Sequence, residues 1–105
     1  MAVPRYHQRA KADLQAIWRY LATRNPAAAD RYLRELQERA FTYAAMPTAG
    51  RLEPEVAERL KLPSDITLRS FLYRNHRSYY FSIDVGIMIL RVLPTRRDRN
   101  TALEE

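Results

Sequence analysis

Ser78-Tyr79-Tyr80-Phe81-Ser82-Ile83-Asp84-Val85-Gly86-Ile87-Met88-Ile89-Leu90-Arg91-Val92-Leu93 is the stretch on which the fold turns. Ser78 to Ile83 and Ile87 to Leu93 are rich in β-branched and aromatic residues, the signature of strands, and Asp84-Val85-Gly86 between them predicts a three-residue hairpin loop with Gly at its end. The earlier run alternates, with Tyr79, Phe81 and Ile83 on one face and Ser78, Tyr80 and Ser82 on the other. One side of such a sheet meets the rest of the fold and the other stays semi-polar. Ile87-Met88-Ile89-Leu90 is apolar on both faces, which suits either a central strand or one whose second face awaits a partner.

Upstream, Thr67 to Tyr73 reads as a further strand, with the period changing at Ile66. Residues 51 to 65, with Pro54, Pro63 and four acids, read as a connector holding one short turn around Val56 to Leu60. Before it lie two helices. Ala29, Leu33, Leu36, Ala40 and Tyr43 form the apolar stripe of one, with Asp30/Arg34, Arg31/Glu35, Arg34/Glu38 and Glu35/Arg39 as i,i+4 pairs on its wet side, and Met46-Pro47 to Gly50 stops it. Asn25-Pro26 starts it, Asn as the cap and Pro at the first helical position, where no hydrogen bond is lost. Ala10, Leu14, Ile17, Trp18 and Leu21 are the stripe of the other helix, so Trp18 is expected in the core and Tyr20, off the stripe, open to contact. Val3 to Tyr6 is a short first strand. The order β-α-α-β-β-β predicts an α+β fold: a helical hairpin packed on one face of a small, mostly antiparallel twisted sheet, with residues 1–105 as a single domain.

Composition limits the chemistry. The chain has no cysteine and its two histidines, His7 and His76, are far apart, so disulfides, thiolate metal sites and a metal enzyme are not expected, nor is a cofactor. No run approaches a membrane span and the N-terminus lacks a signal-peptide pattern, so a cytoplasmic protein is expected. The net charge is +6, and all the basic residues are arginine except Lys11 and Lys61. Residues 66 to 103 carry +5 of it. Arginine forks suit phosphate and carboxylate but are poor proton donors and acceptors. A solubilising positive surface explains the charge equally well.

Taken together, Ala10-x-x-Asp13-Leu14-x-x-Ile17-x-x-Tyr20, the Asn25-Pro26 break, Pro47-x-x-Gly50-Arg51, Leu68-Arg69-Ser70-Phe71, and Ile89-Leu90-Arg91-Val92-Leu93 followed by Arg96-Arg97-Asp98 resemble the ParE-type toxins of the ParE/RelE superfamily from end to end. The family often has Ser where His7 stands and His where Pro94 follows the last strand. The resemblance implies the toxin of a type II toxin–antitoxin system, inhibiting growth and stabilising plasmids. Its partners would be an antitoxin, whose C-terminal segment wraps the toxin in a hetero-oligomer, and DNA gyrase or topoisomerase IV, trapped by binding. RelE-like relatives instead cut messenger RNA on the ribosome.

Cutting RNA needs a group to take a proton, one to give a proton, and cations on the phosphate. By the same resemblance, the two lysines of RelE-type nucleases fall at Asp65 and Thr67 here and their C-terminal tyrosine at Leu103, whereas the arginines matching Arg77 and Arg97 are kept. What remains holds phosphate without moving protons. His76 reads as a surface residue of the turn from Tyr73 to Arg77, and Tyr73 and Tyr80 as packing. No catalytic residue is expected. Arg69, Arg77, Arg91, Arg96, Arg97 and Arg99 are the candidate target contacts, with Asp98 orienting a neighbouring guanidinium. A plain nucleic-acid-binding domain fits the charge, but there is no stacking signature or recognition helix to go with it.

Overall fold

The computed structural model describes residues 1–95, so Arg96, Arg97, Asp98, Arg99 and Leu103 lie outside the described residues. β1 (Val3–Tyr6) leads to α1 (Gln8–Ala22) and α2 (Pro26–Ala45); after a 3-10 turn at Pro47–Ala49 come β2 (Arg51–Leu52), α3 (Pro54–Arg59), β3 (Arg69–Tyr73), β4 (His76–Ile83) and β5 (Gly86–Pro94). Among the described residues the strands form one mixed sheet in the order β1-β5-β4-β3-β2, with β1 parallel to β5 and the other pairs antiparallel. β5 is therefore an interior strand, which accounts for its apolar run. The two-residue β2 is too short to show a period in the sequence, and α3 is the expected short turn, begun earlier by Pro54. The strand expected from Thr67 starts at Arg69, where pairing with Leu52 of β2 ends.

Side chains that satisfy backbone donors set the helix starts. Asn25 Oδ1 accepts from the Ala28 N–H at 3.1 Å. His7 does the work of the more usual Ser: its Nδ1 accepts from the Arg9 N–H at 3.1 Å, so that nitrogen is unprotonated when it caps α1. Trp18 departs from the expectation of a core residue. It is 39% exposed, and its Nε1–H donates to Asp30 Oδ1 at 2.7 Å, tying α1 to α2. A wide ring with a polar tip is held at the margin of the helix pair because the tip needs a partner.

The core lies between the hairpin and one face of the sheet. Ala10, Leu14, Leu36, Ala40 and Ala44 from the helices meet Phe71, Tyr73, Tyr80, Ile87, Ile89 and Val92 from the strands. The alanines let the helices lie close to the sheet. Tyr43 stacks on Phe71 with centroids 4.6 Å apart and planes 7° from parallel. The inward face of β4 is thus the one carrying Ser78 and Tyr80, the more polar of the two by composition. Between β4 and β5 the register skips Leu90, Tyr79 pairing with Arg91 and Tyr80 with Ile89. Such a bulge keeps Ile89 and Val92 on the inner face although they are three residues apart.

Ile83 pairs with Gly86, so the hairpin turn is Asp84-Val85 alone, one residue shorter than expected. Gly86 has φ +146°, and a Cβ there would lie 2.1 Å from the Val3 carbonyl oxygen. Glycine is what lets β1 dock beside the turn. The Val3 and His7 N–H groups donate to Val85 and Ile89 of the neighbouring chain segment. By alternation Pro4 and Tyr6 face away from β5, and Pro4, lacking an N–H, blunts that open edge against further strand pairing. No helix among the described residues is long and apolar enough to cross a membrane.

Tyr6 packs against the core, and burial pushes its phenol up to about 12. In the unfolded chain the group ionises near 10, so above that pH the unfolded state sheds a proton that the folded state keeps. Stability from this group is complete below pH 10 and is lost as the pH rises toward 12. Alkaline unfolding followed by circular dichroism is expected to show this loss in the wild type and a flatter profile over pH 10–12 in Tyr6→Phe.

Candidate functional site

The described arginines among the expected contacts do not share one surface. β1 stops at Tyr6 while β5 continues, leaving the outer edge of β5 without a strand partner beyond Ile89. Asp13 of α1 takes up that edge: its Oδ2 accepts from the Val92 N–H at 2.9 Å and from Arg91 Nε at 2.8 Å, and its Oδ1 from Arg91 Nη2 at 3.0 Å. The pair is mostly buried, and the Asp13 hydrogen bond holds the Arg91 guanidinium more firmly protonated than usual. Arg91 thus serves the fold, joining the first and last of the sequence pieces on which the resemblance rests.

Arg69 also turns inward. It pairs across β3 and β4 with Tyr80, and its Nη1 donates to the Gly50 carbonyl at 2.9 Å. The Tyr80 hydroxyl donates to the Pro47 carbonyl at 2.7 Å and accepts from the Gly50 N–H at 3.0 Å. Burial raises this phenol, with the Gly50 N–H opposing. Both backbone groups of Gly50 are therefore satisfied by side chains of the sheet. Its own lack of a side chain has a steric cause, since a Cβ would stand 2.2 Å from Tyr80 Oη and 2.8 Å from the Ser70 carbonyl oxygen. Pro47-x-x-Gly50 and Leu68-Arg69-Ser70-Phe71 are two halves of one joint between the connector and the sheet.

Arg77 lies on the other face. It pairs with Leu72, which alternates with the inward Phe71 and Tyr73 and is 42% exposed. Arg77 Nη1 donates to Ser70 Oγ at 2.9 Å, Ser70 Oγ–H donates to Glu53 Oε2 at 2.6 Å, and Arg51 Nε donates to that oxygen at 3.0 Å, with Nη2 in ion-pair contact at 2.9 Å. Glu53 is 8% exposed and Ser70 1%. The outer face thus brings together Arg51, Glu53, Ser70 and Arg77, of which the sequence reading named only Arg77 as a target contact, Arg51 and Ser70 entering it only as parts of the resemblance. A signal was present in Arg51-x-Glu53, whose spacing of two puts both side chains on one side of an extended chain.

His76 is not a plain surface residue. It opens β4, its Nδ1 lies 2.8 Å from Tyr32 Oη, and the two rings meet edge to face. With Ile17, Tyr20, Leu21 and Pro94 the two line a groove beside the C-terminal half of α1. Tyr20 is 56% exposed, as expected, with the Arg24 guanidinium 4.8 Å from its ring centre. Tyr73 and Tyr80 are packing residues. The Tyr73 hydroxyl donates to Glu35 and accepts from Arg74 Nε at 3.0 Å, while the Arg39 guanidinium sits 5.5 Å from the ring centre.

This architecture has counterparts. A chain from the chromosomal ParDE toxin–antitoxin system of P. aeruginosa shares the fold, with a TM-score of 0.66 and 21% identity over 91% of this chain and 98% of the other. A search of curated proteins matched none. The family model for the ParE toxin of the type II toxin–antitoxin system parDE matches residues 5–99, which take in Asp13, Gly50, Arg69 and Arg91, the residues that join one part of the fold to another. On that match the chain belongs to the ParE toxin family.

Proposed function

We propose that this ParE-family toxin stops growth in the cytoplasm by binding DNA gyrase or topoisomerase IV, without turning over a substrate, and that a cognate antitoxin neutralises it by wrapping its C-terminal segment around the toxin. The outer face of the sheet carries the reading: Arg51 and Arg77 converge on a buried carboxylate–hydroxyl pair beside the exposed Leu72, a mixture of held cations and apolar area that suits a protein contact. Asp65 and Thr67, where RelE-type nucleases are expected to have lysines, lie in the segment before β3 and line a cleft with Thr48, Arg69 and Ser82. Arg96, Arg97 and Arg99, the remaining arginines of the proposed contact, follow β5 in the sequence, with Asp98 among them.

The test is DNA supercoiling by purified gyrase, with relaxation by topoisomerase IV in parallel. Wild-type protein is expected to inhibit one of the two and accumulate cleaved DNA. Arg77→Ala and Arg97→Ala should each weaken inhibition by about 1–3 kcal/mol, the scale of a contact rather than of a catalytic group, and Arg97→Glu by more, because reversal adds repulsion. A wild type that inhibits neither enzyme, at concentrations well above those that arrest growth, would refute the proposed target.

A further inference from the structure

Among the described residues the buried polar side chains are Glu53, Ser70 and Ser78, and the first two touch. The direction of their hydrogen bonds is dictated by chemistry. A guanidinium only donates, so Ser70 Oγ accepts from Arg77 and must send its own proton to Glu53. Arg51 completes the chain from the other side, its Nε donating to the same carboxylate oxygen and its guanidinium paired with it. Bonds in such a series polarise one another.

Holding the strands together does not require this arrangement. β2 is already tied by its pairing with Ser70 and Arg69 and by the Glu53 N–H on the Leu68 carbonyl at 2.9 Å. Burying a carboxylate is costly, and well-packed apolar side chains of similar volume hold a fold at least as well as a buried ion pair. What the charged version adds is orientation: two guanidinium planes from different strands, set on the outer sheet face by one buried anchor.

We propose that Glu53 and Ser70 are positioning residues for the target contact, Glu53 acting directly on Arg51 and through the Ser70 hydroxyl on Arg77, and that Arg51 is part of that contact. The proposal rests on the reading of the outer sheet face as the surface that meets the target. Neither Glu53 nor Ser70 touches the target itself.

A double-mutant cycle separates positioning from plain stability. Ser70→Ala, Arg77→Ala and the pair are compared for growth arrest on induction without antitoxin, for topoisomerase inhibition and for Tm. Ser70→Ala is expected to raise the half-inhibitory concentration about fivefold in the wild-type background and less than about twofold in the Arg77→Ala background, with Tm used to confirm that every variant is folded at the assay temperature. If Ser70→Ala does not fold, Glu53→Gln, which keeps an acceptor of the same shape, is read in the same way against Arg51→Ala and Arg77→Ala together. Equal losses of inhibition in both backgrounds, or no loss in either, would overturn the positioning role. If the wild type arrests growth but spares both topoisomerases, the target reading fails and the cycle is judged on growth arrest, where the same non-additivity is required. A wild type that does neither leaves no contact to position and overturns the proposal too.

Discussion

Asp13→Ala is expected to lower stability by about 3 kcal/mol, a large part of the roughly 5–15 kcal/mol available to a domain. The substitution strands three donors, on two residues, at once. Arg91 loses its bidentate partner in a mostly buried position, and the Val92 N–H, on a strand edge that β1 does not reach, loses the Asp13 carboxylate. For a chain of this size the loss corresponds to a fall in Tm of roughly 10–20 °C. Asp13→Asn should lie between, since the amide oxygen can still take the Val92 N–H while the charge on Arg91 goes unmatched. Thermal unfolding of the three proteins checks the order. Adding Arg91→Met to Asp13→Ala should recover part of the loss, because the unpaired charge is then removed with its partner; a double variant no more stable than Asp13→Ala would mean that the ion pair is not the source of the effect.

Gly50→Ala carries the second large effect, of about 2–3 kcal/mol. The added methyl would meet Tyr80 Oη at 2.2 Å. Tyr80 is fully buried and its hydroxyl is already held by the Pro47 carbonyl, so the ring has nowhere to withdraw, and the Ser70 backbone oxygen closes the other side. Because the cost arises at the hydroxyl, Tyr80→Phe should be less harmful in the Gly50→Ala background than alone. Denaturant unfolding of the two single variants and the double variant measures this. Strict additivity would place the cause elsewhere, in the backbone of the 3-10 turn.

These two sites also show what a reader of the sequence could and could not see. Helix faces, the Asn25-Pro26 start and the stop at Met46-Pro47 were legible because their signals are local: a period, a cap, a missing donor. The inward face of β4 was not. A period of two separates Tyr79 and Phe81 from Ser78 and Tyr80 without saying which set faces the helices, Tyr79 being as buried as Tyr80, and the answer depends on the Pro47 and Gly50 backbone groups that meet the Tyr80 hydroxyl. Trp18 and His76 were misplaced for a related reason, as their polar atoms are satisfied by Asp30 and Tyr32 on the second helix of the hairpin.

The candidate site was less legible than the fold. Arg91 on a strand looks like a surface cation until Asp13, far away in the chain, is seen beside it. Arg69 likewise looks free until the Gly50 carbonyl is found. Residues that carry the family resemblance are thus spent largely on joining the parts of the fold, and the outer face depends on Arg51 and Glu53 from a connector in which the sequence reading placed one short turn and no contact residue.

If this toxin acts, as proposed, by occupying a topoisomerase, inhibition must follow the stoichiometry of binding. Cleaved DNA is counted over time at two gyrase concentrations, or two of topoisomerase IV, while the toxin is titrated from well below to well above the enzyme. Occupancy predicts a plateau that follows the amount of toxin bound, does not grow with longer incubation, and falls when cognate antitoxin is added. Inhibition that keeps growing at sub-stoichiometric toxin, or codon-specific cleavage of messenger RNA on programmed ribosomes with both topoisomerases untouched, would contradict it.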